Sequence, residues 1–518
     1  MTPQMTYILR RLLIAGLAPV LALCSLFSGP SPTRLTAPIS GYWPIHLVPS
    51  LFGPYSTPAN NGYENGNQIS PIIPLSYVAW RKPQILGVQF IGDAPRNLAS
   101  DKFSLTIKGP RGYIRGLKVQ YFSNGFVGWK VPSLPAGKYR VTFMAPGFQQ
   151  PQSSWSVTIA KPPQMVDPVT ETYADQASLS SLNAYRAMLD EAPVKWNQSL
   201  ADAAMAHARY LAENGYNAPS FHMEEKNRPG YSGKTPWSRD LVYGWPSILD
   251  GEVGIEWTQS LPPVAVIQDL VDTVYHRLSL LSANLFFSGE GSSTGKTGAV
   301  VMDLGYGYSS KLPLAITYPR PGQTGLPTAW VDLESPDPVP NGYGNRYGYP
   351  ITVDFPTVET LKDVHVGLFQ GTERVAIYKD MPGVESMAGN QLGMVPRYPL
   401  NPNTVYSVEV FATATFNSGV TQPITLHWRF STGGDTESVA VAPLSAHHIL
   451  VSVVRAGNGE PDVNTPLRIY RVLSPTRQQM VGSGRTGLSG TWNFERKQET
   501  RALYNVVTQS GNSDEFWW

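Results

Sequence analysis

Helical periodicity in this chain is confined to one stretch, from Ala177 to about Gly307, and the pattern outside it is that of β-structure. In the first segment Leu179, Leu182, Tyr185 and Leu189 recur at roughly helical spacing. In the second, Leu200, Ala203, Ala204, His207, Ala208 and Leu211 mark one face of a 3.6-residue repeat, which makes His207 a packed core histidine. Ser199 with Asp202 three residues on predicts where that helix starts, and Asn214-Gly215 where it stops. A third helix is predicted to end in Tyr275-His276-Arg277, and the run TGAVVMDLGYG reads as a buried strand.

At 518 residues the chain is too long for one core and implies several domains. Charged residues make up only 15% while Gly (47), Pro (46) and Tyr (26) are numerous, a mixture that suits turn-rich β-domains and not a helical bundle. The net charge of +2 includes no basic run, so nothing supports nucleic-acid binding. Segment 29–76 reads as a Pro/Gly-rich linker. Short alternating runs at intervals of about ten residues predict a β-sandwich over 77–162, and similar patterns predict two more over 311–434 and 435–518. The α/β region occupies 170–310. Connectors are expected at Lys161–Pro168, in a long loop at Pro319–Tyr349 and at Gly433–Thr436, with a fragment of about 165–315 folding alone.

Residues 1–28 place Arg10-Arg11 before an apolar run from Leu12 to Leu23, the pattern of an export signal and too short to span a bilayer. Cys24, the chain's one cysteine, follows that run and resembles a bacterial lipid-attachment box, although Leu23 replaces the usual small residue. The alternative is a cysteine discarded with the signal. The chain can form no internal disulfide, so packing alone must hold it.

On the third helix Ile267, Leu270, Val271 and Val274 form an apolar stripe, with Asp269, Asp272, Thr273 and His276 at the same spacing on the other side. This is either an ordinary solvated face or a set of functional groups presented together. No serine sits in a nucleophile-elbow context, so covalent catalysis has no candidate.

The words LNAYRAM…APVKWNQSLADAAMAHARYL, the FHMEEKNRPGYSG loop at His222, the Gly251-Glu252 pair and VDTVYHRLSLL around His276 occur in an order that resembles the CAP superfamily, in its bacterial SCP-like branch. The resemblance covers about a quarter of the chain. It implies a central α-β-α sandwich, here flanked by immunoglobulin-like all-β sandwiches, in a secreted or cell-surface protein of bacterial type. It also implies a cleft in which His222, His276 and Glu252 hold Zn or another divalent metal, with Glu224, Asp269, Asp272, Thr273 and Arg239 in support. Where the family commonly has a second acid, this chain has Thr273, so Asp272 or Asp269 would have to substitute. Two functions follow from the resemblance. One is binding of an extracellular ligand, a lipid or a cell-wall component, with membrane contact only through the N-terminal signal or lipid anchor. The other is metal-dependent hydrolysis of peptide or cell-wall material, with Glu224, Glu225 or Glu252 as base.

Overall fold

In the computed structural model the alanine-rich second segment is helix α2 (Gln198–Asn214), and it starts earlier than Ser199. The Asn197 side chain accepts the N–H groups of Ser199 at 2.9 Å and Leu200 at 3.2 Å, so Asn197 is the cap and Ser199 lies inside the first turn. Its stop is the expected one, with Gly215 at φ 67° sending its N–H to Leu211 O. Helix α1 (Tyr173–Ala187) opens on a capping box between Thr172 and Asp175.

The structure describes residues 168–518, except 216–220, 244, 246–249, 258–260, 307–311, 383–386, 418 and 497–500; before 168 it describes strand segments. The expected export segment with Cys24 and the linker 29–76 lie outside the described residues, apart from the short strands Arg11–Leu12 and Ser70–Ile72.

The α/β region is built on strands β1 (Lys195–Trp196), β2 (Asp250–Trp257), β3 (Leu285–Thr294) and β4 (Gly298–Tyr306) in the order β2-β4-β3-β1. β4 pairs antiparallel with both neighbours, and β1 pairs parallel with β3. Side chains alternate between the two faces. One face carries Val253, Ile255, Trp257, Val300, Met302, Leu304 and Tyr306, which share a core with α1, α4 (Pro263–Val271) and α5 (Tyr275–Leu280). The other carries Ala299 and Val301 against α2. There β3 presents glycines: a Cβ on Gly289 would lie 1.9 Å from Ala201 N, and one on Gly291 2.2 Å from Met205 N. The helix approaches so closely that only glycine fits beneath it.

The third helix is not continuous. It divides into α4 and α5, and the break at 272–274 has a cause remote in sequence. Glu334 accepts the N–H groups of Val274 (2.7 Å), Tyr275 (2.7 Å) and His276 (3.2 Å), donors that an unbroken helix would have used internally. Nor is its polar side solvated, since Asp269, Asp272, Thr273 and His276 are all buried.

The flanking regions are paired antiparallel sheets. Before the α/β region, strands between Ser70 and Ile159 form two four-stranded sheets; after it, residues 316–431 form two more together with a two-stranded ribbon, and residues 437–517 form a three-stranded and a four-stranded sheet. The core does not stop at 310. One buried apolar cluster runs from Ala177 through Leu270 and Val274 to Trp330, Tyr349, Ile351, Met394, Phe430 and Leu450. Helices α1 and α4 also lie against strand Glu437–Pro443, where Ser180 Oγ donates to Pro443 O at 2.6 Å. The Pro319–Tyr349 segment, expected as a loop, includes the strands Trp330–Val331 and Arg346–Tyr347 and buries Trp330, Asp332 and Glu334 completely. Gly433 and Gly434 are bound to Leu326 O and Ser510 O, which ties the last expected connector into the fold.

Candidate functional site

Beneath α2, on the face opposite α5, five elements bring charged side chains together. α2 supplies His207, the following segment supplies His222 and Glu224, helix α3 (Pro236–Tyr243) supplies Arg239 and Asp240, and the strands supply Asp250, Glu252 and Asp303. All are buried. They face this way because Glu252 alternates with Val253 along β2 and pairs directly with Asp303 across to β4.

The two glutamates are accounted for by their donors. Glu224 accepts from His207 Nδ1 (3.0 Å), Ser232 N (2.5 Å), Ser232 Oγ (2.9 Å) and Gly233 N (3.1 Å), and so folds the loop back on itself. Glu252 accepts from His222 Nδ1 at 2.7 Å and from Arg239 Nη2 at 2.5 Å. Burial alone would raise the Glu252 carboxyl, but Arg239, His207 and His222 outweigh it and hold it well below the usual carboxylate range. Arg239 also donates to the carbonyls of His222 (3.1 Å) and Gly233 (3.3 Å). Its burial opposes its charge, which Glu252 and Glu224 nonetheless secure.

His222 is neutral by the same logic. Burial lowers its basicity more than the Glu252 hydrogen bond raises it, and with Nδ1 donating, Nε2 keeps its lone pair, buried and without a hydrogen-bond partner among the described residues. His207 is buried as its periodicity predicts, and it also joins the site, its Nε2 meeting Phe221 O at 2.7 Å.

Three acids in this network carry no mark in the sequence reading. The carboxyls of Asp240, Asp250 and Asp303 approach one another without a conventional donor. Burial pushes Asp240 up to about 8 and, together with the neighbouring Asp240 charge, raises Asp250 and Asp303 well above the aspartate range. Protons held between them would relieve the repulsion between like charges.

The structure thus gathers His222, Glu252, Glu224 and Arg239, with His207 as an addition. It does not gather His276, Thr273, Asp272 or Asp269 with them, because α4 and α5 pack on the Val253 face of the sheet whereas Glu252 projects from the other. On that second face Tyr349 Oη donates to Asp272 at 2.7 Å, and burial pushes Asp272 up to about 6. Arg277 lies under the rings of Tyr318 and Tyr349, 4.6 and 5.1 Å from their centroids, and donates to Val271 O and Pro350 O. His276 Nδ1 lies 3.0 Å from Thr273 Oγ1 and 3.3 Å from Glu334 Oε1. Its Nε2 is buried and has no hydrogen-bond partner. The donors expected to share one metal therefore stand on opposite faces of the sheet, and among the described residues no group of three or more His, Cys, Asp and Glu is arranged to hold a metal ion. Sequence reasoning missed Glu334, which lies outside every family word, and Asp240, Asp250 and Asp303, the last inside the strand run TGAVVMDLGYG.

Residues 179–304 match the model of the cysteine-rich secretory protein family, CAP. The central region is a CAP domain. No curated protein matches the chain. Among solved structures, a Salmonella alpha-2-macroglobulin variant is similar at 10% identity and a TM-score of 0.18, covering 92% of this chain and 24% of that one. Alpha-2-macroglobulin from Escherichia coli is similar at 11% identity and a TM-score of 0.13, over 32% of this chain and 66% of that one. The N-terminal Ig1-2 module of a Drosophila receptor protein tyrosine phosphatase gives 11% and 0.14, over 39% and 95%. At such TM-scores these likenesses decide nothing about the chain. Among the described residues no helix is long and apolar enough to cross a membrane.

Proposed function

We propose that this is an extracytoplasmic CAP-domain protein that binds a lipid or cell-wall component without turning it over, its β-modules, immunoglobulin-like in pattern, holding the CAP domain in place. The observation that carries the reading is the saturation of the two buried candidate bases, Glu224 and Glu252; the third, Glu225, is exposed and paired with Arg228. A general base needs a carboxylate free to take a proton near the working pH. Glu224 already accepts four hydrogen bonds, and Glu252 is held far below neutrality by Arg239. What the network leaves available is the His222 Nε2 lone pair, an acceptor suited to orienting a ligand.

The test incubates the full chain with anionic phospholipid vesicles and, separately, with purified bacterial cell wall. Cosedimentation without release of fatty acid or wall fragments is expected. Release of either product that disappears in His222→Ala would replace this reading with the hydrolase. The metal reading is tested apart from both, by titration calorimetry with Zn²⁺ at about pH 7.5. Zinc binding lost in His222→Ala and in His276→Ala alike would require the two faces to communicate.

Export is tested by fractionation. The chain should be recovered from the envelope or medium, and Cys24→Ser should release it from membranes if Cys24 is lipidated.

A further inference from the structure

At position 273, where the family resemblance leads one to expect an acid, this chain has a threonine, and the environment of His276 shows what takes the acid's place. The Thr273 hydroxyl lies 2.7 Å from Leu270 O and 3.0 Å from His276 Nδ1, and its one proton can go to either, so toward Nδ1 it donates or accepts according to the tautomer. Glu334 Oε1, a carboxylate oxygen that accepts, lies 3.3 Å from the same Nδ1, and both side chains are fully buried. Glu334 thus decides that Nδ1 carries the hydrogen, with the hydroxyl turned to Leu270 O. A proton on Nε2 would be stranded, since that atom is buried without a partner among the described residues.

Glu334 does not reach this place by chance of side-chain rotation. Its own N–H is bound to Asp332 Oδ1 at 3.2 Å. Asp332 in turn closes the segment on itself through Asn345 O (2.9 Å) and Gly344 N (2.6 Å), and Trp330 beside it is completely buried. The carboxylate then takes the three N–H groups that start α5, so ring and helix are oriented by one group.

We propose that Glu334, contributed by the segment that follows the CAP domain, is the positioning residue of His276. It stands in for the acid absent at Thr273, fixes the ring with its hydrogen on Nδ1, and leaves Nε2 as a lone-pair acceptor for an N–H or O–H group of the ligand. The His276 centre is then assembled from two modules and exists only while they are docked. The ligand half of this inference rests on the reading above that a ligand is bound, and adds a contact at His276 on the other face of the sheet from His222; the tautomer half does not rest on it.

The experiment uses the full chain labelled with ¹⁵N-histidine and reads the ring nitrogens by long-range ¹H–¹⁵N correlation, His276 being assigned from its loss in His276→Gln. In the wild type the ring should carry its hydrogen on Nδ1. Glu334→Ala should shift it toward the Nε2–H form, and Glu334→Gln, which keeps an acceptor oxygen, should restore Nδ1–H. A wild-type ring that is Nε2–H or doubly protonated overturns the proposal, as does a Glu334→Ala spectrum identical to wild type. Should Glu334→Ala fail to fold, Thr273→Val decides. The tautomer persists there if Glu334 sets it and is lost if the hydroxyl alone does. Failure of ligand binding with the tautomer intact would count against the binding reading only.

Discussion

Arg239 donates from Nη2 to Glu252 Oε2 at 2.5 Å, and neither side chain reaches solvent. Removing one member of such a pair leaves the other charge buried alone, at about 3–5 kcal/mol. Arg239→Met should lose an amount of that order in urea unfolding at pH 7. The sign of its pH dependence follows from the depressed Glu252 carboxyl. The pair's stabilisation is present above the ordinary glutamate range and is lost as pH falls toward the much lower folded value. In the variant Glu252 can take a proton in mild acid, so the deficit should shrink between pH 7 and 4. A deficit that stays constant over that range would show that packing, and not charge, makes Arg239 necessary.

The Asp240, Asp250 and Asp303 cluster titrates the opposite way. Burial raises Asp240 to about 8, from an ordinary value near 3.8. A raised folded value means that the stabilisation is complete below the ordinary aspartate range and lost as pH rises through the folded value. Stability should therefore fall between about pH 4 and 8, by up to about 1.4 kcal/mol per pH unit for each proton held. Asp303→Asn, which removes one acid and offers Asp240 a donor, should flatten that slope. Chemical unfolding at pH 5, 7 and 9 checks it, and an unchanged slope rules the shared protons out.

A fragment of about 165–315, expected from the sequence to fold alone, should not do so. The second module and the last one cover α1, α4 and α5, and the buried cluster passes straight through the fragment's end. Expressed alone it should bind a hydrophobic dye and aggregate, while residues 168–518 unfold in one cooperative step. A soluble fragment with native-like tryptophan fluorescence would mean that the shared core is dispensable.

Gly289→Ala tests the helix–sheet approach. Its Cβ would lie 1.9 Å from Ala201 N, so α2 must move or the strand must bend. The cost should be at the upper end of the ~1–3 kcal/mol typical of overpacking, or folding should fail. Gly322→Ala is a poor control because φ is +78° there, whereas Gly487→Ala meets only Thr491 O at 3.6 Å and should be nearly neutral.

What could be read from the sequence was what local pattern determines. The α2 periodicity placed His207 inside and Gly215 at the stop, because burial and capping act within one or two turns. The His222 loop and Glu252 were legible as family words. The break between α4 and α5 was not, because IQDLVDTVYHRL contains no glycine or proline, and its cause is a carboxylate 58 to 60 residues away. The polar side of that helix read as either solvated or functional, since no local signal shows that Tyr349 and Glu334 will cover it. The same limit hid Asp303, whose strand was identified as buried while its acid partners come from α3 and β2. The opposition of His222 and His276 also depends on which face of β2 each helix chooses, a choice made by packing and invisible to motif order.

The unbroken core has a meaning for descent. A domain with a polar exterior can be shuffled between genes as a cassette, because recombination at its edges disturbs little. Here Tyr185, Leu270 and Val274 of the CAP region share an interior with Tyr349 and Leu450. Such residues can change only in step with partners encoded far downstream, so the region from α1 to the last sheet should be inherited as one block.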